Sequence, residues 1–360
     1  MAKKKPTSSD VAKLAGVSQS TVSMILNNYE HIRFSPDTVQ RVMDACAKLN
    51  YRTPSARREG GSAEGNKCLM AMCPSFSNFY YINLLEAMQM QAYERGYNMT
   101  VFLSRRNTAL EAQFVQMVRQ QGAAGVFLMY KPINAAVLGQ LAAEVPVVLF
   151  CDKSGGSNVD IMEQDNEKMA VAVGEHLLSL GHRKIAFITT DLMDPNAVLR
   201  LKGLKEAFIR AKASPYNIRA CTIESEQMGY GPEFPLYDAG YHLGKRVVEK
   251  YRDVTALVGL NDMVAIGIMD ALIDEKYRIP YDYSVCGFDN TMISQYRRIS
   301  MTSVENFDVN RGREAVDVLI RKIEAGNRNE EQEPPSLFRV AFASRLIARG
   351  STGPNRRKKE

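Results

Sequence analysis

Residues 8–26, SSDVAKLAGVSQSTVSMIL, decide the architecture of the N-terminal part of this chain. Val11, Ala12, Leu14 and Ala15 recur at the spacing of one helical face, and Gly16 supplies the backbone freedom for a sharp turn. Ser18 then offers a side-chain cap to a second helix, whose apolar residues Val22, Ile25 and Leu26 return at three- and four-residue intervals. The small Ala12 and Ala15 let two helices cross closely, which a helix-turn-helix requires. Gln19, Ser20, Ser23 and Met24 are left on the outer face of the second helix.

Working outward, Thr7 and Asp10 have the spacing of a capping box for the first helix. Ser35-Pro36 announces a third helix with Val39, Val42, Met43, Cys46 and Leu49 on one stripe. Three helices in about fifty residues can bury only a small core. Val11, Val17, Val22, Leu26, Val42 and Leu49 are expected to supply most of it.

Charge is concentrated in the same region. Residues 1–58 hold ten Lys and Arg against four Asp and Glu, a surplus equal to the formal +6 of all 360 residues, so the remainder is neutral. A basic helical module on a neutral body has the electrostatic footprint of phosphate-backbone binding. Residues 53–66, TPSARREGGSAEGN, have linker chemistry.

From Lys67 the pattern changes to short apolar runs separated by helical segments. The runs are 68–73, 99–103, 125–130 and 145–151, then 184–189, 219–223, 255–260 and 284–288. Near-continuous apolar strands alternating with helices imply parallel sheets covered on both faces, and two such series imply two doubly wound lobes. Ligands of open parallel sheets bind beyond the carboxyl ends of the strands. Asp152, Asn261-Asp262 and Asp289-Asn290 stand at three such ends, with the donors and acceptors to hold the hydroxyls of a small polar molecule.

Other classes fit poorly. The four histidines, His31, His176, His182 and His242, lie in unrelated segments without HExxH, GxSxG or a phosphate-cradling glycine loop, so no enzyme is expected. The six cysteines form no CxxC pair and read as reduced structural residues. No apolar run is long enough to span a membrane and MAKKKPTSS is no secretory signal, so a cytoplasmic protein is expected.

The segments TSSDVAKLAGVSQSTVSMILN, GHRKIAFI, NDMVAIG, SVCGFDN, MTSVENF and ASRLIARGST together resemble the LacI/GalR family of transcriptional regulators, across roughly residues 7–353. The resemblance implies a homodimer that binds a near-palindromic operator in double-stranded DNA. It also implies a periplasmic-binding-protein-like core in which a small effector, a sugar or related metabolite, binds between two lobes and changes DNA affinity. No other cofactor and no metal are expected. A nucleobase or a protein co-regulator in place of the sugar is the alternative, and a transporter's solute-binding protein a remote one. By motif, Gln19, Ser20 and Met24 would face base edges, while Thr7, Ser18, Thr21, Asn27, Arg57 and Arg58 would touch the DNA backbone. Phe79, Tyr80, Asp152, Arg200, Asn261, Asp289 and Asn306 would line the effector site.

The implied domains are a head at 1–52, a linker at 53–66, a core at 67–350 and a disordered basic tail at 351–360. The chain should cross between lobes near Asp165, Thr291 and Ala325. That gives an N-lobe of about 67–162 plus 292–323 and a C-lobe of about 166–290 plus 327–350. Two departures from the family stand out. Many relatives carry arginine where this chain has Met24, which removes a guanine contact worth about 1–3 kcal/mol of discrimination. The linker lacks the family's hinge leucine, with Gly60 at its position, so a flexible tether that bends DNA little is expected.

Overall fold

The computed structural model describes residues 7–26, 34–49, 67–152, 159–222, 235–327 and 337–357. Two compact units result, 1–67 and 68–360. Asn27, the linker 53–66 and its Arg57 and Arg58 lie outside the described residues.

The head contains α1 (Ser8–Ala15), α2 (Gln19–Leu26) and α3 (Pro36–Leu49). Thr7 and Asp10 close the capping box, and Gly16 ends α1 in the left-handed region at φ 67°. Ser18 Oγ accepts from Thr21 N at 3.0 Å and Ser35 Oγ from Thr38 N at 3.2 Å, so the two later helices start where their caps require. Arg41 of α3 donates to the Ala15 carbonyl at 3.0 Å and ties the end of α1 to α3. Val11, Ala12, Ala15, Val22, Val42 and Ala45 form the buried centre, with Val17, Leu26 and Leu49 packed on it. Leu14 and Met43, both placed on apolar stripes by spacing, are instead exposed.

The core holds two parallel sheets. The strands are β1 (Cys68–Cys73), β2 (Asn98–Leu103), β3 (Gly125–Leu128), β4 (Val147–Asp152), β5 (Asp160–Gln164), β6 (Ile185–Thr189), β7 (Ile218–Thr222), β8 (Ala256–Gly259), β9 (Ser284–Cys286), β10 (Ser303–Glu305), β11 (Arg339–Ala341) and β12 (Arg345–Ile347). The first sheet has the order β11-β5-β4-β3-β1-β2 and the second β7-β6-β8-β9. Helices α4 (Phe79–Glu94), α5 (Thr108–Gln121), α6 (Ala135–Ala142) and α11 (Asp308–Asn327) cover the first sheet, and α7 (Asn166–Ser179), α8 (Pro195–Arg210), α9 (Pro235–Lys250) and α10 (Asp262–Asp274) the second. Within the second layer the helices pack through glycine: a Cβ on Gly203 of α8 would lie 2.1 Å from the Glu167 carbonyl oxygen of α7. None of the helices among the described residues is long and apolar enough to cross a membrane.

Three boundaries differ from the sequence expectation. Residues 292–323 do not all belong to the N-lobe. Met301 and Val304 sit in the C-lobe core, Thr302 bridges Cys286, and Asp289 N donates to the Val304 carbonyl at 3.0 Å, so the second crossing falls at Asn306 rather than near Thr291. Residues 327–350 are likewise split. β11 pairs with β5 of the N-lobe sheet and β12 pairs antiparallel with β10, so the last crossing lies between them rather than near Ala325. These strands have three residues each, too few for a periodicity to register, while β5 (DIMEQ) is half polar and extends the N-lobe to 164.

The third correction concerns the tail. Residues 351–357 are ordered into the C-lobe, not disordered. Ser351 is buried and its hydroxyl donates to the Val285 carbonyl at 2.6 Å. The Gly353 carbonyl lies 3.0 Å from His182 Nε2, which therefore carries the proton, leaving Nδ1 to accept from Thr255 at 2.8 Å. Arg357 donates to the carbonyls of Arg252 and Val254 and its guanidinium lies 4.3 Å from the centre of the Tyr283 ring. Arg357, assigned by the sequence to a disordered basic tail, therefore acts as a hydrogen-bond donor to main-chain carbonyls. Ending the chain after Gly350 strips buried His182 and Ser284 of partners, at about 1–3 kcal/mol for each orphaned group. The urea midpoint of the truncated protein is expected to fall; an unchanged midpoint would show that the strap contributes nothing.

Candidate effector site and DNA-facing head

A cavity of about 330 Å³ opens at the carboxyl ends of the strands of both sheets. It is walled by the turn after β1 (Pro74, Ser75, Ser77, Asn78), by Tyr80 and Tyr81 of α4, by Arg105 and Arg106 after β2, and by Gln164 at the end of β5. The C-lobe contributes Thr190 after β6, Asp194, Asn196 and Arg200 at the start of α8, Leu236 at the start of α9, Leu260 and Asn261 after β8, and Asp289 after β9. A second space of about 240 Å³ shares Tyr80, Tyr81, Arg106, Gln164 and Asn196 with it and reaches Tyr130, Lys131 and Phe150.

Arg200 anchors the C-lobe wall. It is 4 % exposed, its Nε donates to Asn166 Oδ1 at 2.8 Å, and one terminal nitrogen donates to the Leu260 carbonyl. The other lies 3.6 Å from Asp289 Oδ1, and the guanidinium centre sits 4.4 Å from the Phe288 ring centroid. Burial pushes the Asp289 carboxyl well above its ordinary range, and Arg200 opposes that shift. Asn261 caps α10 by accepting from Val264 N at 3.0 Å, so its role in the fold and its place in the wall coincide.

Of the residues expected around an effector, the structure brings Tyr80, Arg200, Asn261 and Asp289 together on one cavity. Phe79 stands beside Tyr80 on α4 but does not line it. Asn306 does not line it either; it is buried at the second crossing with Nδ2 lacking a hydrogen-bond partner among the described residues. Asp152 ends β4, and its side chain lies outside the described part. Sequence reasoning missed Tyr81, Arg105, Arg106, Gln164, Thr190 and Asn196. The rule of strand carboxyl ends would have found Arg105, Arg106 and Thr190 had it been applied to β2 and β6 as it was to β4, β8 and β9.

Two further carboxylates, Asp262 and Asp308, are buried close enough to Asp289 to act on its charge. Asp262 Oδ1 accepts from Ser303 Oγ at 2.5 Å, and Oδ2 from Thr291 N and Oγ1 at 2.7 and 2.9 Å. Burial still raises its pKa to about 6. Asp308, at the start of α11, is raised to about 7 by burial, with Arg311 at 3.7 Å opposing the shift.

On the head, Gln19, Ser20 and Ser23 are exposed on α2, while Met24 is half-buried rather than fully outside. Gln19 Nε2 donates to Ser8 Oγ at 2.9 Å. Thr7, Ser18 and Thr21 cluster around the helix starts, with the Ser18 hydroxyl 2.8 Å from that of Thr21.

Comparison with known proteins agrees with both units. Residues 7–54 match the family described as bacterial regulatory proteins, lacI family, and residues 174–352 match the periplasmic binding protein-like domain. The chain belongs to the LacI family. It is 26% identical over 320 residues to the HTH-type transcriptional repressor PurR of Mannheimia succiniciproducens, covering 88% of this chain and 92% of that protein. Its fold is similar to the lac repressor dimer bound to operator and the anti-inducer ONPF (TM-score 0.65, 24% identity, 97% of this chain and 100% of that one). It is also similar to a transcriptional regulator CelR–cellobiose complex (TM-score 0.66, 22% identity, 96% and 99%). Like other LacI-family members it is a DNA-binding transcriptional repressor with an effector-binding core, not an enzyme.

The raised Asp308 pKa has a measurable sign. Between about pH 4 and pH 7 the folded protein keeps a proton that the unfolded chain releases, so this group's contribution to stability is complete below the unfolded pKa and is lost as pH rises through about 7. The stability difference between wild type and Asp308→Asn, read from urea melts across that range, is expected to shift against the wild type as pH increases. A difference independent of pH would mean that Asp308 titrates normally.

Proposed function

We propose that this LacI-family repressor acts as a homodimer on a near-palindromic operator and that a small polyhydroxyl effector, a sugar or close relative, binds in the cavity between Tyr80 and the Arg200–Asp289 pair. The observation that carries the reading is the composition of the cavity wall. Strand ends of both sheets deliver amide, hydroxyl and charged groups to one space, with an aromatic wall on one side. That mixture suits a ring with hydroxyls on its edge and C–H groups on its face. The similar CelR structure is a complex with cellobiose.

On the DNA side, Gln19, Ser20 and Met24 are the proposed base-reading positions, with Thr7, Ser18, Thr21 and, outside the described residues, Asn27, Arg57 and Arg58 on the backbone. Gln19 is suited to adenine in the major groove, whereas Met24 can offer only apolar contact, for instance to a thymine methyl. A second reading, a nucleobase effector, is favoured by Tyr80 and Tyr81, which together present aromatic surface to both parts of the cavity.

A thermal-shift screen of the purified protein against monosaccharides and free purines tests the effector class. A ligand at a hundredfold its dissociation constant adds about 2.7 kcal/mol, so a true effector is expected to raise the melting point visibly and Asp289→Ala to abolish the rise. Stabilisation that survives in Asp289→Ala would place the ligand elsewhere. For the head, Met24→Arg is expected to move the preferred operator toward guanine at one position per half-site in a binding-selection experiment; an unaltered consensus would remove Met24 from the base-reading set.

A further inference from the structure

Among the described residues the charges around the cavity do not balance. The two carboxylates that line it there, Asp194 and Asp289, are already engaged: Asp289 faces Arg200, and Asp194 caps α8 by accepting from Asn196 N at 2.9 Å and Ala197 N at 3.2 Å. Arg105 and Arg106 remain, and neither is paired with a carboxylate among the described residues. Lys131 adds a further cation in the adjoining space that shares Arg106.

The placement of the two arginines is not the relaxed one. Both hold φ 52°, a left-handed backbone that L-residues rarely adopt, at the two central positions of the turn Ser104–Asn107 between β2 and α5. Such conformations persist where surrounding structure enforces them and gather at ligand clamps. Arg106 is further oriented by its position 4.9 Å from the Tyr130 ring centroid and by a hydrogen bond to Tyr81. Its planar fork therefore stands ready at the junction of the two spaces, with donors in the geometry that a phosphate or carboxylate accepts. The N-terminus of the sixteen-residue α4, capped by Asn78, faces the same cavity and adds to the positive field.

We propose that the ligand of this cleft is an anion, a polyhydroxyl metabolite bearing a phosphate or carboxylate group, and that Arg105 and Arg106 hold that group while the C-lobe wall holds the hydroxyls. The inference rests on the cleft being the effector site.

The test uses the full-length protein and four probes at constant ionic strength: inorganic phosphate, glucose 6-phosphate, glucuronate and glucose. Phosphate is expected to raise the melting temperature over an equal concentration of chloride, and the Arg105→Asn/Arg106→Asn variant to lose at least tenfold in apparent phosphate affinity. Asparagine tolerates the left-handed backbone, so this variant should fold, and Arg105→Lys/Arg106→Lys is expected to retain most of the response. A larger response to glucose 6-phosphate than to glucuronate identifies a phosphoryl group, and the reverse a carboxylate. No phosphate response in the wild type, or equal responses in wild type and the asparagine variant, overturns the proposal. Asp289→Ala, measured alongside, separates the two readings. If it removes ligand responses that the arginine variant leaves intact, the cleft is the effector site and only its anion preference is wrong; if neither variant alters any response, the cleft reading falls as well.

Discussion

One cation withdrawn from water organises the C-lobe. The Arg200 guanidinium can be buried only if acceptors answer it, because an unpaired buried charge costs several kcal/mol. Those acceptors come from three separate places: Asn166 at the start of α7, the Leu260 carbonyl after β8, and Asp289 after β9. Satisfying Arg200 therefore fixes the mutual positions of two strand ends and two helix starts, and these form the C-lobe wall of the cavity. Asp289 at once lines the cavity and is the counter-charge of the buried guanidinium, so its loss leaves a cation stranded in the cavity wall.

The N-lobe wall is built on a different principle. Its polar groups stand on turns, Ser75 to Asn78 after β1 and Arg105–Arg106 after β2, and the two arginines remain exposed. Both hold a left-handed backbone, and the Tyr130 ring and the Tyr81 hydroxyl, rather than a buried counter-charge, orient Arg106. A ligand lying across the cavity thus meets one wall whose hydrogen bonds are largely committed and another whose donors are still available for it.

This contrast also explains which parts of the molecule were legible in the sequence. The head was readable because capping chemistry and apolar spacing agree at Thr7, Asp10, Gly16, Ser18 and Ser35, and each does in the structure what its type suggests. Leu14 and Met43 escaped that logic, because a stripe drawn by spacing is wider than the face that a three-helix core can bury. In the core, eight apolar runs marked eight strands, whereas β5, β10, β11 and β12 gave no periodic signal and took the lobe crossings with them. Asp289 and Arg200 were found through strand ends and motif. Arg105 and Arg106 follow β2, where the same strand-end rule points, but two arginines after a strand also read as a solvated turn until the fold brings α4 and α8 opposite them. The ordered tail was hidden for a similar reason: Arg357 bonds to main-chain carbonyls, and a carbonyl acceptor leaves no mark in composition.

An effector can move the two lobes only by binding one arrangement more tightly than the other, so the route from cavity to crossing segments matters. Two such routes are short. Gln164 lines the cavity, Asp165 next to it caps α7, and Asn166 holds Arg200, so a single run of three residues joins ligand wall, crossing and buried cation. At the second crossing Phe307 adopts a left-handed φ of 53°, Asp308 opens α11, and Arg311 one turn later donates to the Tyr80 hydroxyl at 3.3 Å. Asn306 Nδ2, Asp308 Oδ1 and Arg311 Nε all lack hydrogen-bond partners among the described residues. Buried polar groups of this kind penalise the arrangement that leaves them unpaired. Tyr80, which lines the cavity, is joined to this group through Arg311, so one hydrogen bond separates the cavity wall from the unpaired groups of the second crossing.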